Sequence, residues 1–189
     1  MGVRMTSRVP NIAAAGAKAG VSSNGQEVLV GLAEIRVAKG PANFAFIGLG
    51  SCIGFCALDP VADIAGAAHI MLPRASGSVG TGQLGKFADT AVGELIRLME
   101  ESGASREQIV AAYAGGANLT EAEGASARFD TGKRNIEALS AVIDSLEVAV
   151  MAANAGGTAG RSLRMCAATG DVTVRTIKAG EQFLCRLRS

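Results

Sequence analysis

The spacing of apolar residues along the chain predicts many short strands. Residues 27–38 alternate between apolar and polar positions, which is typical of one strand, with a bulge near Gly31. Further short apolar runs, bounded by glycine, proline or polar turn residues, predict strands at residues 44–49, 53–58, 66–72, 109–114, 147–153, 163–168, 172–177 and 182–187. The last three follow one another through short turns and predict a meander.

Two segments show the period of an amphipathic helix instead. Residues 86–102 and 131–146 each place bulky apolar residues on one helical face, and Gly103 follows the first of them. Strands in runs, with only two helices among them, favour an α+β domain over a doubly wound parallel sheet. We therefore predict one domain over residues 26–189, preceded by a disordered tail at residues 1–25, which contain no acidic residue and are rich in Ala, Gly and Ser.

Composition excludes several classes of function. Eighteen basic and seventeen acidic residues in a chain of 189 leave a net charge of +1, too weak a field to hold nucleic acid. Aromatic residues make up 4% of the chain and tryptophan is absent, so no stacking platform for bases is expected. No apolar run is long enough to span a membrane, and we expect no membrane insertion.

The four cysteines are scattered through strand-like segments, which is typical of a reduced cytoplasmic protein rather than a disulfide framework. A zinc site needs several cysteine or histidine ligands at short spacings. Because the chain contains only one histidine and a single Cys-x3-Cys spacing, at Cys52 and Cys56, we predict no metal site.

The candidate chemistry lies at Cys52 and at His69, the only histidine. Cys52 follows a glycine-rich bend and His69 lies on the next extended segment, as a thiol nucleophile and its proton-transfer partner require. Glycines near the thiol, Gly50 among them, let a substrate and backbone N–H donors approach closely. The alternative is structural, with Cys52 a small core residue and His69 a core or edge histidine.

Residues 80–87 match two phosphate-binding patterns, Gly-x-Gly-x-x-Gly and most of a P-loop. Phe87, however, occupies the position where a P-loop needs a Ser or Thr hydroxyl for magnesium. Residues 73–79 also separate these glycines from the preceding strand, and the surrounding elements do not alternate as a nucleotide-binding sheet requires. We therefore expect a flexible loop here, with no nucleotide and no other cofactor.

Several segments, in order, resemble the chemoreceptor glutamine deamidases of the CheD family over nearly the whole chain after the tail. They include Gly-Leu-Gly-Ser-Cys at 48–52, Asp-Pro at 59–60, Ala-His-Ile-Met-Leu-Pro at 68–73, and the segments 86–92, 114–117, 134–138, 156–161 and 180–182. The resemblance implies an α+β fold with a β-sandwich core and flanking helices in three layers, like that of deamidating bacterial toxins. The family's catalytic cysteine and histidine correspond to Cys52 and His69.

The resemblance also implies an activity and partners. The expected reaction hydrolyses side-chain amides of specific glutamines on the cytoplasmic part of methyl-accepting chemotaxis receptors, giving glutamate and ammonia. Association with the chemotaxis phosphatase CheC is implied where that protein is present. Ser51 and Ile53 are expected near the oxyanion, and Gly50, Gly156, Gly157 and Arg161 are candidates for the substrate loop.

One departure from the family concerns the orientation of His69. The position at which the family usually carries a threonine that helps to orient the histidine is Phe46 here. A misoriented imidazole loses rate, so Ser51, Asn43 or a backbone carbonyl must replace the threonine. The alternative function is a binding module that docks on receptors or on a CheC-type phosphatase with little or no turnover.

Overall fold

The computed structural model describes residues 27–77, 80–118 and 130–188, and the tail predicted for residues 1–25 lies outside them. Within the described residues, ten strands and two α-helices follow one another. The strands are β1 (Glu27–Leu29), β2 (Ile35–Lys39), β3 (Asn43–Leu49), β4 (Ile53–Asp59), β5 (Ile64–Ile70), β6 (Val110–Gly115), β7 (Ala149–Ala155), β8 (Arg161–Cys166), β9 (Asp171–Thr176) and β10 (Gly180–Arg186). The helices are α1 (Ala88–Glu101) and α2 (Thr131–Leu146), with 3-10 turns at Thr81–Lys86 and Arg106–Gln108.

The strands form two five-stranded sheets. The first sheet has the order β1-β3-β8-β9-β10, and the second has the order β2-β5-β4-β6-β7. Neighbouring strands are antiparallel except for β1 with β3 and β6 with β7, which are parallel. The predicted α+β class, with mixed strands and two helices, is confirmed at this level.

Two apolar clusters hold the sheets and the helices together. One cluster joins the facing sides of the two sheets and includes Phe44, Phe46 and Leu163 from the first sheet with Cys56, Leu58 and Ala67 from the second. The other covers the opposite side of the second sheet and includes Phe55, Ile64 and Ile70 from its strands with Leu95, Met99 and Leu139 from the helices. The second sheet is therefore buried on both sides, and β4 and β5 are buried along their whole lengths.

The prediction of a single strand over residues 27–38 is wrong. β1 joins the first sheet and β2 joins the second, and the chain crosses between them at residues 30–34, where Ala33 has a positive φ of 61°. A period of two shows that a segment is extended but not which sheet it joins. The break expected near Gly31 is therefore a change of sheet rather than a bulge.

The helices begin where local chemistry allows. α2 matches its prediction residue for residue. It begins at Thr131 because the Asp130 side chain accepts a hydrogen bond from the Lys133 N–H at 3.0 Å and caps the first turn. α1 begins two residues later than predicted, since Lys86 ends a 3-10 turn and Phe87 is extended. The glycines at 80–85 lie mostly in that turn and do not join a strand directly to a helix.

The packing of α1 yields a stability prediction. Leu95 is fully buried between α1 and the second sheet, so Leu95→Ala should lower the free energy of unfolding by about 2–5 kcal/mol. Ile177 is fully exposed, and Ile177→Ala should change it by less than about 0.5 kcal/mol. Urea denaturation of both variants makes the measurement, and equal effects would contradict the described packing of α1.

Candidate active site

The central antiparallel pair β4–β5 sets the relation between Cys52 and His69. Gly54 lies opposite His69, and Ile53 lies opposite Ile70 at the end of the ladder. Side chains alternate along a strand, and Cys56 of β4 and Ala67 of β5 both belong to the cluster between the sheets. Cys52, which immediately precedes β4, and His69 therefore alternate onto the same side of the second sheet, and Cys52 packs against that cluster.

The segment that carries Cys52 is held by the chain that follows β6. The N–H of Gly116 donates to the Cys52 carbonyl at 2.9 Å, and the N–H of Ala117 donates to the Gly50 carbonyl at 2.7 Å. Cys52 itself is half-buried and forms no disulfide. The segment 50–52 is thus held by two hydrogen bonds, while Cys52 stays partly accessible.

His69 is 5% exposed, and one hydrogen bond defines its tautomer. Its Nδ1 lies 3.0 Å from the Val30 carbonyl oxygen. A carbonyl can only accept, so Nδ1 carries a proton, and in the neutral ring Nε2 presents a lone pair. This is the tautomer that a general base needs. The group that orients the imidazole is the backbone carbonyl of Val30.

The turn that supplies the Val30 carbonyl is bonded to the backbone of His69 as well. The His69 N–H donates to the Glu34 carbonyl at 2.9 Å, and the Ala33 N–H donates to the His69 carbonyl at 3.0 Å. The Glu34 carboxylate closes the turn by accepting from the Gly31 N–H at 2.9 Å. Gly85 lies against this turn so closely that a Cβ there would be 2.3 Å from the Ala33 carbonyl oxygen. The glycines of residues 80–85, considered above for phosphate binding, therefore include one required for packing.

Phe46 belongs to the core and to the surroundings of His69 at once. It is fully buried in the cluster between the sheets. Its ring centroid lies 5.7 Å from that of the imidazole, with the two planes at 72°, an edge-to-face contact. Phe46 thus limits the rotation of His69 by packing, while the Val30 carbonyl supplies the hydrogen bond.

Burial favours the neutral forms of both groups. It raises the pKa of the Cys52 thiol above its ordinary value. Burial also lowers the pKa of His69, partly opposed by the Val30 carbonyl and by the negative charge of Glu34. The structure contains no hydrogen bond between these two described residues, and burial disfavours both the thiolate of Cys52 and the imidazolium of His69.

The loop after β7 lies beside the segment that holds Cys52. The Gly156 N–H donates to the Gly115 carbonyl at 2.9 Å, and the Asn118 N–H donates to the Gly157 carbonyl at 2.8 Å. Arg161, which is 7% exposed, holds this loop from within.

Arg161 forms hydrogen bonds with oxygens at the end of β7 and in the loop that follows it. Nη1 donates to the carbonyl and the side-chain oxygen of Asn154, and Nη2 donates to the carbonyls of Gly156 and Ala159. Burial lowers the pKa of this guanidinium. All of these acceptors are uncharged, so Arg161 shapes the predicted substrate loop.

The sequence analysis did not identify the roles of two polar groups near the site, although it named a backbone carbonyl as one candidate for orienting His69 and residues 134–138 as a segment that resembles the family. The Val30 carbonyl is a backbone group and leaves no side-chain signal. Asn135 is a fully buried amide in α2 whose Nδ2 donates to the carbonyls of Ser51 and Met71. Its position, directly before Ile136 on an otherwise apolar face, was the signal that could have identified it.

Other kinds of site find little support in the described part of the chain. There, no three His, Cys, Asp or Glu side chains come together as metal ligands would. No helix in the described ranges is both long enough and apolar enough to cross a membrane. A surface depression lined by Pro73, Arg74, Arg134, Glu137 and Ala138 includes neither Cys52 nor His69.

The fold and the site together define a candidate cysteine hydrolase of mixed α and β structure. Residues 71–176 match the family model described as CheD chemotactic sensory transduction. A relative from Desulfitobacterium hafniense, named probable chemoreceptor glutamine deamidase CheD, is 38% identical over 157 residues, covering 83% of this chain and 98% of its own length. One from Thermotoga maritima, named chemoreceptor glutamine deamidase CheD, is 37% identical over 155 residues, covering 82% of this chain and 95% of its own.

The chain belongs to the CheD family, and the family prediction is confirmed. The family model begins at Met71, after both candidate catalytic residues. The alignment with the Desulfitobacterium relative is long enough that it must include Cys52 and His69.

The lowered pKa of His69 predicts how stability depends on pH. Below the ordinary histidine pKa of about 6.5 the unfolded chain takes up a proton that the folded chain resists. Stability should therefore be fully present above that pH and should fall as the pH drops through it. Because His69 is the only histidine, urea denaturation between about pH 7.5 and 5.5 isolates this effect.

The matched control is His69→Asn, which keeps an N–H donor for the Val30 carbonyl but does not titrate. Its stability should be nearly constant over the same pH range. An equal loss of stability in the native protein and the variant would contradict a buried neutral His69.

Proposed function

We propose that this protein is a protein-glutamine glutaminase that hydrolyses side-chain amides of specific glutamines on methyl-accepting chemotaxis receptors. The products are a glutamate side chain and ammonia. Membership of the CheD family and the names of its relatives support the reaction. The observation that carries the mechanism is the hydrogen bond from Nδ1 of His69 to the Val30 carbonyl, because it leaves Nε2 as a base on the side of the sheet that bears Cys52.

The first step forms a thioester. Sγ of Cys52 attacks the amide carbon of the glutamine while Nε2 of His69 takes the thiol proton. The carbonyl oxygen becomes an oxyanion that accepts hydrogen bonds from backbone N–H groups around Ser51 and Ile53. The tetrahedral intermediate then collapses, Nε2–H protonates the departing nitrogen, and ammonia leaves.

The second step reverses these roles. A water molecule gives a proton to Nε2 and attacks the thioester carbon. Collapse of this second intermediate breaks the C–S bond, and Nε2–H returns a proton to sulfur. Glutamate is released and Cys52 is again a thiol. Both steps begin from uncharged groups, which agrees with a raised thiol pKa and a lowered imidazole pKa.

The remaining features have supporting roles in this proposal. Gly50, Gly156 and Gly157 line the approach of the glutamine side chain, and Arg161 keeps that loop in shape. The two sheets and the helices form a three-layer sandwich of the deamidating-toxin type within one domain, residues 26–189. The protein works in the cytoplasm on the cytoplasmic part of receptors, and a CheC-type phosphatase binds it where one is present.

A binding module is the second candidate function, and the burial of His69 favours it. A histidine that is 5% exposed and hydrogen-bonded to the backbone could be a structural residue. In that case the chain would dock on receptors or on a CheC-type phosphatase and regulate them without turnover.

Substitution of the two proposed catalytic residues distinguishes these functions. Cys52→Ser and His69→Ala should each lower the rate of deamidation on the order of 10,000-fold, because each removes a group that bonds to the reacting atoms or their protons. The assay is mass spectrometry of a receptor cytoplasmic fragment, in which each glutamine converted to glutamate is located by sequence.

Cys166→Ser is the matched control, since Cys166 is also half-buried but lies in β8 of the other sheet. It should keep the native rate. If the native protein binds the fragment but converts no glutamine, the binding module is the better description.

Phe46→Thr tests what the departure from the family does. It removes a fully buried ring from the core and should cost about 3 kcal/mol or more in the free energy of unfolding. The new hydroxyl should not increase turnover, because the Val30 carbonyl already accepts the Nδ1 proton of His69.

Phe46→Leu is the control for this variant, because it also replaces the ring with a smaller side chain but adds no hydroxyl. Both rates are measured per folded protein. A several-fold gain in turnover that is specific to Phe46→Thr would show that the Val30 carbonyl orients His69 poorly.

A further inference from the structure

Asn135 is a fully buried amide on the side of α2 that packs against the second sheet. Its Nδ2 donates to the Ser51 carbonyl at 2.7 Å and to the Met71 carbonyl at 3.0 Å. Both partners can only accept, so the orientation of the amide is fixed with its nitrogen toward them. One side chain therefore bonds to two separate segments of the site.

Those segments are the ones that carry the proposed nucleophile and base. Ser51 directly precedes Cys52, and Met71 follows the last residue of β5, the strand that bears His69. The β4–β5 ladder ends at the pair Ile53–Ile70, so Ser51 and Met71 lie beyond its last rung. Beyond the end of the β4–β5 ladder, the two hydrogen bonds of Asn135 join the segment that contains Ser51 to the segment that contains Met71.

The other half of the amide argues against a packing role. Oδ1 of Asn135 is buried and, among the described residues, has no hydrogen-bond partner. An unpaired buried oxygen is unfavourable, and an apolar side chain of similar size would avoid it. The stabilising contribution of this residue therefore comes from the two hydrogen bonds that Nδ2 donates.

The helix that carries Asn135 packs closely against the chain that follows β6. A Cβ on Gly132 would lie 2.6 Å from the carbonyl oxygens of both Gly116 and Ala117. The N–H groups of those two residues donate to the carbonyls of Cys52 and Gly50. Because α2 contacts the backbone that holds the cysteine segment, it provides a rigid base for the amide.

We propose that Asn135 is a positioning residue, which fixes the separation of Cys52 and His69 by bonding the chain on either side of the pair. This inference rests on the proposed roles of Cys52 and His69. Asn135 itself does not touch the substrate. It affects the chemical step by keeping the nucleophile and the base at a fixed distance and orientation.

The experiment compares two substitutions of Asn135 with a control from the same helix. Asn135→Leu keeps the approximate volume and removes both donors, and Asn135→Asp keeps the shape and replaces the donors with oxygens. Leu139→Ala removes a fully buried side chain one turn further along α2 that forms no bond to the site. Folding is checked by thermal denaturation, and all rates are expressed per folded protein.

Two measurements separate positioning from general loosening. In the deamidation assay, either Asn135 variant should lower kcat about 100-fold with KM unchanged, because the substrate surface is intact and only the alignment of reacting groups is lost. Alkylation of Cys52 by iodoacetamide, located by peptide mapping, should change in rate in the Asn135 variants. Leu139→Ala should lower the melting temperature but keep the native kcat and alkylation rate.

The inference is overturned if an Asn135 variant that folds retains the native kcat, or if Leu139→Ala lowers kcat equally. If Asn135→Leu fails to fold, the isosteric Asn135→Asp decides the question. Cys52→Ser, assayed in parallel, tests the proposed mechanism itself. Full activity of Cys52→Ser would refute the mechanism, whereas its inactivity together with active Asn135 variants would refute the positioning role alone.

Discussion

The register of the β4–β5 pair is the constraint on which the candidate site depends. Both strands are buried along their whole lengths, with one face against the first sheet and the other against the helices. A slip of one residue would move His69 to the helix side and away from Cys52. The turn between the strands opposes such a slip, because the buried carboxylate of Asp59 accepts the N–H groups of Val61, Ala62 and Ser105. Local turn chemistry at one end of the pair therefore secures the geometry at the other end.

A histidine placed between two sheets needs a hydrogen-bond partner that the sheet itself does not offer. The chain supplies one by crossing from the first sheet to the second at residues 30–34, which leaves the Val30 carbonyl facing Nδ1. The same turn bonds to both backbone groups of His69. Phe46 stands at the position where the resemblance to the family implied a threonine, and here packing by its ring and a backbone acceptor both orient the imidazole.

The sequence predicted best the elements whose signals are local. α2 was predicted to the residue because its apolar period lies wholly within the helix. The change of sheet after β1 was missed, since alternation continues in an extended chain whichever sheet it joins. The pairing of Cys52 with His69 could be proposed from residue types and spacing. Which backbone carbonyl orients His69, and which segments Asn135 bonds, could not be predicted, because each depends on contacts between residues far apart in the chain.

Burial that favours a neutral thiol and a neutral imidazole has a chemical consequence. A preformed thiolate and imidazolium would have to be desolvated in a site where His69 is almost fully buried, and that cost is high unless further hydrogen bonds compensate it. With a thiol and a neutral imidazole, charge appears only as the proton moves and the substrate oxygen becomes an oxyanion. The site then has to stabilise charge only when a carbonyl group is present to carry it. In the proposed mechanism, such an arrangement would couple activation of the Cys52 thiol to substrate binding, and fixed alignment of Cys52 and His69 would matter more than a low thiol pKa.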